Sequence, residues 1–134
     1  MSEGTYQQRV HAWVADTFPE TLVEATSLEE DASNPLERAR RFLEEALELV
    51  QAVGLDQAEV AMLSLYTYSR PVGELAQEMG GARLSMAALA ASLGLDADEC
   101  GEVELARVSA PGMRERMRAK HQTKVDEGVG TWGA

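Results

Sequence analysis

The 134-residue sequence contains little of several residue types, and each shortage excludes a class of protein. One cysteine, Cys100, forbids an intramolecular disulfide, and with only two histidines the chain lacks the ligands of a four-ligand zinc site. Only 12 residues are basic against 23 acidic ones, and the net charge of -11 disfavours binding to nucleic acid or anionic lipid. Aromatic residues make up 5%, so the core must consist mainly of Ala, Leu, Val and Met, which favours packed helices.

Long apolar runs and targeting signals are scarce as well. The least polar stretch, residues 84–95, is far shorter than the roughly 20 residues that a membrane span requires. The first ten residues lack the basic and then apolar pattern of a secretory signal, which predicts a cytoplasmic protein. Hydrophobic residues reach 45%, enough to exclude wholesale disorder, and the length predicts a single domain over residues 1–134.

The sequence does contain helical periodicity and helix-capping residues. Apolar spacing predicts one helix over residues 5–18, and a second from Asn34-Pro35 to the expected stop at Gly54. Four further helices are predicted: residues 56–70, about 71–93, one capped by Asp96, and a short one starting at 109–111. Residues 25–33 are predicted to form a loop, and about 125–134 a flexible tail. No segment alternates with period two, so we predict an all-α bundle of about five to six helices.

Three carboxylates lie close together in the second predicted helix. Glu44 and Glu48 are spaced i,i+4, and Glu45 and Glu48 i,i+3, so that one face presents several carboxylates to a common ion. The alternative is a solvated face, because Arg40 and Arg41 precede Glu44 and Glu45 by four residues and offer simple ion pairs.

A second acidic pair, Glu74 and Glu78, is predicted to share a face of the fourth helix, with Gly81 on that face. Gly80 and Gly81 inside a helix each cost about 1 kcal/mol relative to Ala, so the pair indicates close backbone approach, to another helix or to a ligand. If the two acidic helices pack antiparallel, four carboxylates line one cleft. Carboxylates alone select hard cations, Mg²⁺ or Mn²⁺, and Mg²⁺ commonly completes its shell with substrate phosphates.

Basic residues concentrate near the C-terminus. Residues 1–110 hold 20 acidic and 7 basic side chains, net -13, whereas residues 111–134 hold 3 and 5, net +2. Lys120 and Lys124, spaced i,i+4, are the candidates for phosphate, against the alternative of a solvated helix face. Arg70 and Trp13 are further candidates for substrate contact, although residues such as Trp13 more commonly belong to a core.

Two stretches resemble motifs of a known enzyme group. RFLEEALELVQAVG (41–54) resembles the EExxE metal motif of the all-α nucleoside triphosphate pyrophosphohydrolases, the MazG / HisE / dimeric dUTPase group. QEMGGARLSMAALAASLGLD (77–96) is similar to that group's second motif, normally ExxD followed by an apolar helix. The similarity spans about residues 34–122, and RPVGELAQEMGG (70–81) looks like a MazG-like branch of phages and bacteria, in particular the phage MazZ-type (d)GTP diphosphohydrolases.

The resemblance implies an oligomeric MazG-like helical bundle, a homodimer or homotetramer, in the bacterial host cytoplasm if phage-encoded. It implies Mg²⁺- or Mn²⁺-activated water attack at the α-phosphate of a (d)NTP, with dGTP or GTP favoured by the branch. Glu44, Glu45, Glu48 and Glu78 match the motifs as catalytic residues, and the metal ligands would be Glu45, Glu48, Glu74 and Glu78. Gly81 stands where the group has Asp, so one metal ligand of the group is missing. Glu74 is the candidate to replace that ligand. The alternatives are that the site binds fewer metal ions or that the protein is inactive.

Two functions of other classes stay open beside this enzyme. A nucleotide-binding regulator would keep the fold and bind nucleotide with metal but without turnover. An acidic α-helical adaptor would use the glutamates as surface ion pairs and Gly80-Gly81 as a notch for helix packing.

Overall fold

A computed structural model of the chain describes residues 4–18 and 35–128. Within these residues the protein is all-α, with six helices and no strand, as the sequence predicts. The helices are α1 (Tyr6–Thr17), α2 (Pro35–Val53), α3 (Gln57–Tyr68), α4 (Leu75–Ser92), α5 (Ala97–Val108) and α6 (Met113–Asp126). The loop predicted at residues 25–33, the cap predicted at Asn34 and residues 129–134 of the predicted tail lie outside the described residues.

Side-chain caps explain where several helices begin. Thr5 and Gln8 form a capping box at α1, in which the Gln8 amide donates to Thr5 Oγ1 at 3.1 Å. The predicted caps of α3 and α5 are confirmed: Asp56 accepts from the Glu59 amide at 2.9 Å, and Asp96 accepts from the Glu99 amide at 3.0 Å. Each carboxylate satisfies an amide that has no partner within its helix.

Glycine ends α2 as predicted. Gly54 has φ of +119°, a conformation that glycine adopts without a steric penalty. The amides of Gly54 and Leu55 both donate to the Val50 carbonyl, at 3.1 and 3.0 Å. These bonds satisfy a carbonyl that the helix itself leaves open, and the chain can turn at once into α3.

Two predicted helix starts are corrected. α4 begins at Leu75 rather than near Pro71, because Glu74 is an extended N-cap with ψ of 130° whose side chain accepts from the Gln77 amide at 2.7 Å. α6 begins at Met113 after turns at residues 109–112, and its 14 residues make it longer than the short helix predicted.

The chain divides into two units, one of Met1–Glu45 with Glu102–Ala134, the other of Ala46–Gly101. In the described part of the first unit, α1 packs against α6, and Val14, Thr17 and Val108 are the buried residues. Arg9 on α1 donates two hydrogen bonds to Glu102 on α5, at 2.8 and 2.6 Å. Apolar burial and this charged pair together hold α1 in place.

The second unit contains α3 and α4 and has no buried residue. Its large apolar side chains are exposed: Leu65 is 74% exposed and Tyr68 88%. Tyr66 and Tyr68 both lie on the surface. None of the described helices is both long enough and apolar enough to cross a lipid bilayer.

Candidate functional site

The three glutamates of the EExxE-like segment lie in the middle of α2 and differ in their surroundings. Glu44 is partly buried, whereas Glu45 and Glu48 are exposed. Arg41, one turn earlier, lies 3.4 Å from Glu44 and also donates a hydrogen bond to Glu45. Because helical spacing brings residues three and four apart onto one face, a single guanidinium bridges two of the carboxylates. Glu48 makes no ion pair within residues 4–18 and 35–128 and is the carboxylate most open to an added cation.

Lys124 on α6 approaches the same group of carboxylates from a distant part of the sequence. Its Nζ donates to both carboxylate oxygens of Glu44, at 3.1 and 3.2 Å. The two side chains retain 21% and 32% of their exposure, so the pair is partly shielded from water. A predicted catalytic residue and a predicted phosphate-binding residue are thus in direct contact.

A second ion pair, on α5, lies within electrostatic range of Arg41 and Glu45. Arg107 donates two hydrogen bonds to Glu104, at 2.9 and 2.7 Å. These bonds lower the pKa of the Glu104 carboxyl below its ordinary value, and the charge of Arg41 lowers it further. In turn, Glu104 and then Glu45 raise the pKa of Arg107. We call Arg41, Glu44, Glu45, Glu104, Arg107 and Lys124 the charged cluster.

The charged cluster combines carboxylates with three cations, from segments of α2, α5 and α6 that belong to the first unit. Carboxylate oxygens are suited to Mg²⁺, and guanidinium and ammonium groups are suited to phosphate. Sequence reasoning offered Arg41 only as a salt-bridge partner and did not single out Glu104 and Arg107. The spacing of Glu104 and Arg107, i,i+3 on one helix, could have indicated their pairing but not their position beside α2.

Glu74, which precedes α4, and Glu78, which lies within it, make different contacts. Glu74 caps the helix, and its carboxylate is directed to the Gln77 amide. Glu78 lies in the first turn, and its side chain folds back so closely over Gly73 that a Cβ at position 73 would meet Glu78 Oε1 at 2.5 Å. Glu74 therefore precedes the helix as its cap, whereas Glu78 belongs to its first turn.

Gly80 and Gly81 do lie inside α4, as predicted, but a Cβ at either position would meet nothing within 4 Å. No close neighbour among the described residues therefore explains why positions 80 and 81 are glycine. Over those residues, moreover, no group of three or more His, Cys, Asp or Glu side chains is close enough to hold a metal ion.

The remaining candidates for substrate contact have different environments. Trp13 is half-buried; its Nε1 donates to the Val108 carbonyl at 3.2 Å, and its ring meets Phe18 edge-to-face. Arg70 lies over the Tyr66 ring at 5.4 Å, in a cation–π arrangement. Lys120 is exposed on α6, one turn before Lys124. Of the three, only Trp13 is engaged in the packing of the first unit.

One cation near the N-terminal end of α2 escaped sequence reasoning. Arg38 lies over the Phe18 ring at 5.9 Å, and Phe18 also contacts His121 with a centroid distance of 5.4 Å. Burial lowers the pKa of Arg38, and its Nε is a buried atom with no hydrogen-bond partner among the residues that are described. The charge of Arg38 lies one turn before Arg41, which extends the basic side of the charged cluster.

Comparisons with protein families, with curated proteins and with solved structures find no match for this chain.

Proposed function

We propose that the chain is a Mg²⁺-dependent nucleoside triphosphate pyrophosphohydrolase, which cleaves a (d)NTP to (d)NMP and pyrophosphate. The observation that carries the proposal is the contact between Lys124 and Glu44, at 3.1 and 3.2 Å. It joins the EExxE-like segment to a cation suited to phosphate, and Arg41 and Arg107 add further positive charge beside it. An acidic chain that binds a triphosphate needs such a local concentration of cations.

The donor set in α2 has the chemistry that a hard cation requires. Glu45 and Glu48 are exposed and i,i+3 on one helix, and they would hold Mg²⁺ together with water and substrate phosphates. When bound, the ion would neutralise phosphate charge and lower the pKa of a coordinated water.

The side chains of the charged cluster divide the remaining work. Lys124 and Arg41 would bind the phosphates of the incoming nucleotide, and their ion pairs with Glu44 would weaken as they do so. Glu44, relieved of one cation, would then accept a proton from the attacking water. The preference for dGTP or GTP rests on the sequence resemblance alone, as does the homodimer or homotetramer that forms part of the proposal. The cytoplasmic location, also part of the proposal, rests on the sequence pattern of the first ten residues.

Pyrophosphate release across a panel of NTPs and dNTPs, with Mg²⁺, Mn²⁺ or EDTA, tests this function. We expect turnover of a purine nucleotide that EDTA abolishes and that falls at least 100-fold in Glu45→Gln and Glu48→Gln. Glu115→Gln is the matched control, since Glu115 is exposed in the first turn of α6 and outside the charged cluster. Absence of turnover of every nucleotide by folded protein contradicts the proposal.

A second function, the nucleotide-binding regulator, is favoured by the ion pairs themselves. Arg41 and Lys124 are paired with Glu44, and Arg41 is also paired with Glu45, so these two carboxylates are less available to a metal ion. Calorimetric titration separates the two functions: a regulator binds nucleotide without turnover and retains binding in Glu48→Gln. An acidic adaptor, the third possibility, shows no response to nucleotide with or without Mg²⁺.

A further inference from the structure

Arg38, near the start of α2, carries a guanidinium that the described residues leave without a hydrogen-bond acceptor. Its side chain is half-buried, and its Nε is a buried donor with no partner within residues 4–18 and 35–128. The other two arginines of α2 are paired: Arg40 lies 3.6 Å from Glu37, and Arg41 pairs with two glutamates of the charged cluster. Within these residues, Arg38 is therefore the one arginine of α2 that makes no ion pair.

This isolation of Arg38 disfavours its charge in the free protein. Burial lowers the pKa of Arg38, Glu37 opposes that effect, and the charge of Arg41 adds to it. The positive end of the α2 dipole lies at the same end of the helix, since α2 begins at Pro35. A buried donor has also lost its bonds to water without a new bond in return. A bound anion would remove all of these costs.

Aromatic rings hold the Arg38 side chain in place. Its Cζ lies 5.9 Å from the centre of the Phe18 ring, and Phe18 meets Trp13 and His121 edge-to-face, at 6.2 and 5.4 Å. These contacts join α1, α2 and α6 within the first unit. The half-buried side chain retains an exposed edge, through which an oxyanion can bond an Nη group and, as the guanidinium turns toward it, Nε as well.

Further cations continue from Arg38 along the facing sides of α2 and α6. Arg41 follows Arg38 by three positions on α2, and Lys124 follows His121 by three positions on α6, which places each pair on one helical face. The two faces are linked by the aromatic contacts between Arg38 and His121 and by the bonds from Lys124 to Glu44, at 3.1 and 3.2 Å. An anion bound at Arg38 therefore meets a second cation one turn along the helix.

This arrangement selects an anion with two linked phosphates. A guanidinium presents a planar fork of donors, which matches two oxygens of one phosphate better than an ammonium group does. The charges of Arg38 and Arg41 are close enough to repel each other, and a ligand that carries negative charge at two neighbouring groups offsets both. A single phosphate or carboxylate would engage only one of the two cations fully.

We propose that Arg38 anchors a pyrophosphate site, in which its Nε and one Nη bond two oxygens of one phosphate and Arg41 binds the other phosphate. Free pyrophosphate and the β- and γ-phosphates of a nucleoside triphosphate share this chemistry. Binding of free pyrophosphate stands whether or not the protein hydrolyses nucleotides, whereas use of the site by a nucleotide rests on the proposed function.

Nuclear magnetic resonance of the arginine side chains tests the contact directly, with pyrophosphate in the presence of EDTA as the probe. The Nε–H signal of Arg38, assigned by its loss in Arg38→Met, should shift in a saturable manner as a charge-assisted hydrogen bond forms. Absence of pyrophosphate binding, or binding that leaves this signal unshifted, overturns the proposal.

Calorimetry on variants measures how much of the affinity depends on Arg38. Arg38→Met retains an unbranched stem over Phe18 and should weaken pyrophosphate binding by about tenfold or more. Arg38→Lys keeps the charge but not the fork, and should weaken binding by about threefold or more. Arg116→Met is the matched control, since Arg116 is an exposed arginine of α6 in the same unit, and it should change the affinity less than about twofold.

Equal losses of affinity in Arg38→Met and Arg116→Met overturn the proposal, because binding would then depend only on net charge. Unchanged affinity in folded Arg38→Met overturns it as well.

A dGTP analogue with an imido group between the α- and β-phosphates distinguishes the two sources of the anion. If pyrophosphate and the analogue both shift the Arg38 Nε–H signal, the site takes the nucleotide's β- and γ-phosphates. If only pyrophosphate shifts it, the anion site is supported and its use by nucleotide is overturned. Turnover of nucleotide without any shift at Arg38 overturns the site but not the proposed function, and a shift without turnover of any nucleotide has the reverse meaning.

Discussion

Lys124 Nζ lies 3.1 and 3.2 Å from the two carboxylate oxygens of Glu44, although 80 positions separate the two residues in the sequence. The contact links α6 to the glutamate-rich face of α2. It also gives Glu44 a different role from its neighbours, because Glu44 is paired with two cations and Glu48 is exposed and open to solvent.

The first prediction separates these glutamates by their effects on stability and activity. Glu44→Gln should lower the free energy of unfolding by about 0.5–1 kcal/mol, since it removes a partly shielded ion pair. Glu48→Gln should leave the stability within about 0.5 kcal/mol of the parent, as for other surface substitutions, while pyrophosphate release is lost. Urea denaturation and the release assay measure both quantities. Equal stability losses in the two variants contradict the different roles.

The second prediction distinguishes the two lysines of α6. Lys124→Met should lower kcat/KM at least tenfold, about 1.4 kcal/mol of transition-state stabilisation, because Lys124 is beside Glu44 and Lys120 is not. Lys120→Met is the matched control and should change kcat/KM less than threefold. Steady-state kinetics at fixed Mg²⁺ checks the difference, and a larger effect at Lys120 would show that phosphate is bound elsewhere on α6.

The third prediction concerns Trp13, which packs against Phe18 and donates to Val108. Trp13→Phe removes the hydrogen bond and leaves a partly buried carbonyl without its donor, so the free energy of unfolding should fall by about 1–2 kcal/mol. We expect the KM for nucleotide to stay within twofold. A large rise in KM with unchanged stability would instead assign Trp13 to the nucleobase.

The fourth prediction is loss of stability in acid. Hydrogen bonds from Arg9 lower the pKa of Glu102, and those from Arg107 lower the pKa of Glu104, each below the ordinary 4.5. A carboxylate with a lowered pKa stabilises the fold fully above its unfolded pKa, and the stabilisation is lost as the pH falls through the folded value. Tm should therefore decline as the pH falls below about 4.5, with a small amplitude because both pairs are exposed.

Glu102→Gln provides the check on that pH dependence. Its Tm should be lower than that of the parent at neutral pH and should approach it in acid, because the parent then loses the same ion pair. Parallel Tm profiles of the two proteins at every pH would contradict the assigned pKa shift.

The sequence was sufficient for most of the fold because helix ends depend on neighbouring residues. The Asp56 and Asp96 caps and the Gly54 stop are local signals, and all three are confirmed. The start of α4 was misplaced because Pro71 is acceptable at a helix start, and nothing in the pattern shows that Glu74 itself is the cap.

Contacts between distant segments could not be predicted in the same way. Helical periodicity places Glu44 and Glu45 on one face of α2 but does not indicate that Lys124 or Arg107 lies beside them. Periodicity likewise marks α3 and α4 as apolar without showing what covers them, and the structure leaves Leu65 and Leu84 exposed.

The measurement that tests the central claim most directly is turnover of dGTP with Mg²⁺ in water enriched in ¹⁸O. The proposed function predicts equimolar dGMP and pyrophosphate, with ¹⁸O in dGMP because water attacks the α-phosphate, and loss of both products in Glu48→Gln. If dGTP is not consumed, the other nucleotides of the panel are measured in the same way. No turnover of any nucleotide by the folded protein, or ¹⁸O in a released phosphate or pyrophosphate, would contradict it.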